Sequence, residues 1–151
     1  TNEYQKEYFL NKILQRFNNG KAIKNKIFTI WGLSFKPGTN DVRGAVSIYI
    51  INQILSNGGI INLYDPKAMD NIKIFFSDNK SVNYFKDKYK AVDSADALIL
   101  LTEWPEFRSP DFNLIKEKLN NALVFDGRNQ YDKYYMKNLG FEYYQIGVEN
   151  L

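Results

Sequence analysis

The chain has 151 residues, 44% of them hydrophobic and 25% charged, with a mild net charge of +3. That fits one globular domain able to bury about two-thirds of its unfolded surface, and the charge is too small to mark a nucleic-acid binder. Neither cysteine nor histidine occurs, which excludes a disulfide framework, a thiolate metal site and Ser-His or Cys-His acyl transfer within the chain, and argues against zinc chemistry.

Residues 3–18 carry Phe9, Leu10, Ile13 and Phe17 at helical spacing and are followed by Asn18, Asn19 and Gly20, a helix with its stop. KIFTIWGL (26–33) is a nearly continuous apolar run, the pattern of a strand covered on both faces. A loop, SFKPGTNDVRG, leads to a helix over 45–57 that Gly58 and Gly59 end. A second strand, 60–66, breaks at Pro66, and 67–76 is helical. A short strand at 82–84 and a short helix or turn over 85–94 precede the strand 97–101. Pro110 introduces a helix from Asp111 to Leu119, ALVFD (122–126) is a further strand, 132–139 is helical, and 141–147 is the last strand.

Strands that alternate with helices predict a three-layer Rossmann-like α/β domain, preceded by an N-terminal helix, with a mainly parallel sheet of five or six strands. No apolar run reaches the roughly 20 residues of a membrane span and the N-terminus is polar, so a cytoplasmic protein without membrane contact is expected.

Parallel sheets bind ligands beyond the carboxyl ends of their strands, so four segments matter: FKPGTNDVR, YDP, TEWPEFR and DGRN. The first is neither a P-loop nor a Gly-x-Gly-x-x-Gly fingerprint. Lys36 nevertheless supplies a point charge, Arg43 a planar fork, and the next helix its positive end, a set suited to a diphosphate. A solvated turn built on Pro-Gly and Asn-Asp is the plain alternative. Asp65 reads as a turn or cap rather than a ribose ligand. Trp104 and Phe107 are expected to cover the sheet end, with Arg108 paired to a nearby acid. Gly127 lets backbone approach a ligand and Arg128 projects beyond the strand. Lysines outnumber arginines sixteen to four, so an arginine marks a place where a two-pronged donor is needed.

In their order and spacing, GLSFKPGTNDVR, the strand with YDP, LTEWPEFR and VFDGRN resemble the C-terminal domain of the UDP-glucose/GDP-mannose dehydrogenase family, its UDP-glucose 6-dehydrogenases in particular. NEYQK and the helix behind it are similar to the end of that family's central helix. The resemblance implies two units: residues 1–20, the end of the dimerisation helix, and 21–151, a UDP-sugar-binding α/β domain. It also implies oxidation of a sugar C6 alcohol to a carboxylate in two NAD-dependent steps. NAD is held mainly by a separate N-terminal domain, and the full-length enzyme is a homodimer.

Phe35, Lys36 and Arg128 match substrate-contacting positions for UDP-glucose or a related nucleotide sugar, and Arg43 matches an arginine that faces NAD. The catalytic cysteine and the NAD glycine fingerprint have no counterpart, so the resemblance makes this chain one wall of an active site without a catalytic residue. Gly44, Ala45 and Val46 depart from the family pattern of an acid and a serine after Arg43, which leaves the orientation of that arginine open. Two alternatives stand beside this expectation. One is a stand-alone nucleotide-binding or regulatory module, which the gene sequence upstream of Thr1 would distinguish. The other is a dimerisation domain built on the aromatic-rich first helix.

Overall fold

The apolar runs of the sequence lie side by side in one sheet. A computed structural model describes residues 2–146. The strands are β1 (Ile27–Trp31), β2 (Ile60–Tyr64), β3 (Val82–Tyr84), β4 (Ala97–Leu100), β5 (Leu123–Asp126) and β6 (Glu142–Gln145). The helices are α1 (Asn2–Arg16), α2 (Val46–Ser56), α3 (Met69–Phe76), α4 (Lys88–Val92), α5 (Phe112–Lys118) and α6 (Lys133–Asn138). The strand order is β3-β2-β1-β4-β5-β6 and every pair is parallel, so the expected mainly parallel sheet is wholly so.

Side chains alternate across the sheet, which sorts the core into two halves. Phe28, Ile30, Ile61, Leu63, Ile99 and Phe125 face α1, α2 and α3. Trp31, Leu98, Leu100 and Val124 face α4, α5, α6 and the loop after β4. Asp87, Asp111 and Asp132 start α4, α5 and α6 by accepting first-turn N–H groups. A polar row crosses the second face. Thr29 Oγ1 and Asn62 Nδ2 both donate to the Ala91 carbonyl, at 2.6 and 3.2 Å, and Asn83 Nδ2 donates to Asn62 Oδ1 at 3.2 Å. Each buried polar side chain in the row is satisfied, and together they tie the last turn of α4 to three strands.

Helix α1 belongs to the same core. Phe9, Leu10, Ile13 and the following Phe17 are buried against the first face. Arg16 Nε lies 2.5 Å from Glu142 Oε2, so the helix end is joined to β6. The helix stops where Asn18 and Asn19 adopt φ of 55° and 53°, a conformation Asn tolerates better than most residues.

The elements differ from the sequence pattern mainly at their ends. The run 26–33 forms a ladder only over Ile27–Trp31, because Gly32 turns the chain out of the sheet. The segment 85–94 holds a five-residue helix. Pro105–Phe107 forms a 3₁₀ turn that the pattern does not announce. Gly147, which the pattern puts in the last strand, lies outside the described residues.

Candidate functional site

The strand order reverses between β1 and β4, and the crevice beyond their carboxyl ends is where such sheets receive ligands. Gly32 sits there with φ +95°, and a Cβ on it would stand 2.5 Å from the Thr102 amide nitrogen and 2.6 Å from Thr102 Cβ. Conformation and space both require glycine at this crossing.

Beyond Gly32 the chain forms a loop pinned from three elements. From β2, Asp65 Oδ2 accepts the Leu33 N–H at 2.7 Å and the indole Nε1–H of Trp104 at 3.1 Å, while its Oδ1 accepts Lys67 N and Ala68 N, both at 2.8 Å. From β4, Thr102 Oγ1 donates to the Ser34 carbonyl at 2.7 Å. From α2, Ser47 Oγ donates to the Leu33 carbonyl at 2.7 Å. Asp65 is buried and engaged on both oxygens, which settles its role as a turn and loop clamp.

This frame presents Phe35 outward at 59% exposure. Lys36 Nζ lies over its ring, 6.0 Å from the centroid. Asp41 receives three bonds from Arg43, from N, Nε and Nη2, each at 3.0 Å. That clasp answers the open question about Arg43: with Gly44 turning at φ +67°, the guanidinium folds back onto its own loop. The pairing holds the Asp41 carboxyl below its ordinary range. Helix α2 follows Ala45, which gives it no side-chain cap, and has no acid in its first turn.

The opposite wall comes from β5. Asp126 is fully buried, and its carboxylate accepts the N–H groups of Arg128 at 3.0 Å, Gln130 at 2.8 Å and Tyr131 at 2.9 Å, with the Tyr143 hydroxyl at 2.5 Å. Burial raises the Asp126 carboxyl, against the lowering effect of those donors. Burial, followed by the Asp126 charge, likewise pushes the Tyr143 hydroxyl up. The chain leaves β5 past Gly127, where a Cβ would crowd the Leu100 carbonyl at 3.1 Å and the Phe9 ring at 3.3 Å. Arg128 then meets Glu103: Nε donates to Oε2 at 2.9 Å and Nη2 lies 2.7 Å from the same oxygen.

A cleft of about 170 Å³ opens between these walls, bounded by Phe35, Gly44, Val46, Leu101, Gly127 and Arg128 and closed by Gln5, Lys6 and Phe9 of α1. The structure therefore brings Phe35 and Arg128 together and leaves Lys36 and Arg43 on the loop outside the cleft wall. The contribution of α1 is absent from the sequence reading. Its apolar spacing marks Phe9 as core, but nothing local shows that Gln5 and Lys6 reach a loop some 30 residues further along the chain.

The segment after β4 covers the sheet end as expected. Trp104 and Phe107 are buried, and Phe107 stacks on Trp31 at 5.0 Å. The expected ion pair of Arg108 does not form: it is exposed, with no carboxylate partner among the described residues. The acids of its own segment are taken by others, Glu103 by Arg128 and Glu106 by the Tyr64 hydroxyl and Lys88.

A wholly parallel sheet with this order, a glycine at the switch point and basic loops on the same rim defines a doubly wound α/β domain of the nucleotide-binding type. The pattern of the UDP-glucose/GDP-mannose dehydrogenase family, UDP binding domain, matches residues 29–133. The chain belongs to that family. It is 35% identical over 149 residues to the UDP-glucose 6-dehydrogenase of Pseudomonas aeruginosa, covering 97% of this chain and 32% of that protein. It is 33% identical over 147 residues to UDP-glucose 6-dehydrogenase TuaD of Bacillus subtilis, covering 97% and 31%. The solved structure of a UDP-glucose dehydrogenase from the hyperthermophilic archaeon Pyrobaculum islandicum is similar with a TM-score of 0.74 at 25% identity, over 95% of this chain and 29% of that one. The chain thus spans about a third of the length of the curated relatives it matches.

Proposed function

We propose that this chain is the nucleotide-sugar-binding domain of an NAD-dependent nucleotide-sugar dehydrogenase, with UDP-glucose as the substrate that oxidation converts to UDP-glucuronate. The observation that carries this reading is the single cleft shared by Phe35, after β1, and Arg128, after β5, on either side of the switch point. Phe35 offers a flat apolar surface, Arg128 a planar donor, and Lys36 and Lys6 positive charge at the margins. At about 170 Å³ the cleft is smaller than the roughly 300 Å³ at which complete small-molecule pockets begin. That size supports a half-site completed by another part of the enzyme.

The residues present do not fit NAD by themselves. A dinucleotide site of this fold needs a tight glycine turn from the first strand straight into the helix. Here residues 32–45 intervene between β1 and α2, and the space beside Gly32 is filled by Thr102. NAD therefore belongs to a separate domain in this reading, which would meet the exposed Arg43–Asp41 clasp, and the catalytic residue lies there too. Helix α1 continues a longer helix that joins two copies of the full-length enzyme. Among the described residues, no helix is long and apolar enough to cross a membrane.

Calorimetry with UDP-glucose on the full-length product of the encoding gene tests the assignment. Lys36→Ala and Arg128→Ala are each expected to weaken binding about tenfold. Unchanged affinity in both variants rejects the site.

A further inference from the structure

We propose that Glu103 is a positioning residue for this site: it fixes the guanidinium of Arg128 so that its free edge meets the ligand. The proposal rests on the reading that the Phe35–Arg128 cleft binds the UDP moiety. Arg128 is fixed at its backbone by Asp126, but its long side chain is 41% exposed and, among the described residues, is anchored only by Glu103. Both of its near nitrogens converge on one carboxylate oxygen, Oε2, at 2.9 and 2.7 Å. Nη1, on the far edge, takes no part in this pairing.

Glu103 is itself held on both sides along the chain. Thr102 is bound to the Ser34 carbonyl, and Trp104 to the buried Asp65. Its second oxygen, Oε1, is buried and has no hydrogen-bond partner among the described residues. A buried carboxylate oxygen without a partner among the described residues disfavours this arrangement as a device for stability alone. The geometry gives up one oxygen to aim the other at Arg128. A carboxylate from the end of β4 thus orients an arginine from the end of β5, and the pair is neutral overall, so Arg128 acts as a directional donor and the lysines supply the net charge.

Two opposite signs make this testable in the full-length protein. If Glu103 only neutralised Arg128, its removal would add a positive charge to the cleft and tighten UDP binding. A positioning role requires the reverse. Calorimetry with UDP on Glu103→Ala is expected to show affinity reduced about tenfold, with Glu103→Gln, which keeps an acceptor oxygen, recovering most of it. Glu103→Ala combined with Arg128→Ala is expected to be no weaker than Arg128→Ala alone, because both changes remove the same oriented donor. With only four arginines in the chain, the Arg128 Nε–H resonance is assignable by its loss in Arg128→Ala. It is expected to move toward the position of a free guanidinium in both Glu103 variants, more in Glu103→Ala, which also reads out the contact if the alanine variant binds poorly through misfolding. Affinity that rises or stays constant in Glu103→Ala and Glu103→Gln, while Arg128→Ala weakens binding, overturns the proposal and leaves the site intact. Unchanged affinity in Arg128→Ala overturns the positioning role, and unchanged affinity in Lys36→Ala as well overturns the site reading with it.

Discussion

The indole Nε1–H of Trp104 donates to Asp65 Oδ2 across 3.1 Å, joining the loop after β4 to the end of β2 over the carboxyl end of β1. The same oxygen holds the first residues of the loop after β1, Leu33 at 2.7 Å and Ser34 at 3.4 Å. One buried carboxylate thereby locks three strand ends into a single rim. Buried charge is tolerated when several N–H donors converge on it, as they do here.

Asp65→Asn replaces one acceptor oxygen with an amide that faces N–H groups, whichever way it turns. The expected loss is about 2–4 kcal/mol in chemical denaturation. A loss under about 1 kcal/mol would show that the donors find other partners.

Gly32 and Gly44 separate two reasons for glycine. Both have positive φ, +95° and +67°, but a Cβ at Gly44 meets nothing within 4 Å, whereas at Gly32 it overlaps Thr102 backbone. Gly44→Ala is expected to cost about 1 kcal/mol, the strain of a left-handed residue. Gly32→Ala adds a clash that must move a strand end, for a total of about 3 kcal/mol or more. Equal losses in urea titrations would mean that β4 yields easily.

The pair Arg16–Glu142 makes the docking of α1 sensitive to acid. Burial raises the Glu142 carboxyl, but the bonds from Arg16 and the Tyr144 hydroxyl outweigh it and leave the group below its ordinary value. The same environment, burial first, pushes the Tyr144 hydroxyl up to about 12. A lowered carboxyl contributes stability that is present above about 4.5 and is lost as the pH falls through the lower folded value. Both side chains are more than a third exposed, so the pair is worth about 0.5 kcal/mol. Urea unfolding should show Arg16→Ala less stable than the parent by that amount at pH 7, with the gap closing as the pH falls below 4.5 and Glu142 becomes protonated in the folded protein. A gap that persists in acid would assign the effect to Arg16 packing on Phe17 instead.

Arg43 and Asp41 form a clasp on the outer side of the loop, with the Arg43 side chain 86% exposed. Such pairs add little to folding. Arg43→Ala is expected to leave the thermal midpoint unchanged and, in the full-length enzyme, to raise KM for NAD while leaving UDP binding alone. A drop in UDP affinity would place this arginine at the substrate instead.

Local pattern carried much of this protein. The apolar runs at 26–33, 97–101 and 122–126 marked central strands because residues buried on both faces leave no alternation. Their regular interruption by helical spacing marked a parallel sheet. The loop from Phe35 to Arg43 and the Arg128 turn were legible as candidates because ligands of such sheets sit past strand ends, a rule that needs only the succession of strands along the chain. Tertiary structure decided which charges meet. Glu103 and Arg128 stand 25 residues apart and pair because β4 and β5 are neighbours. Arg108, in the same segment as Glu103, has no carboxylate partner among the described residues. Lys6 and Phe9 reach the cleft because α1 packs across the sheet near Gly127. Periodicity reports which face of an element is buried, a property of a few neighbouring residues. Which element that face meets depends on the order of strands in the sheet, and no short stretch of sequence contains it.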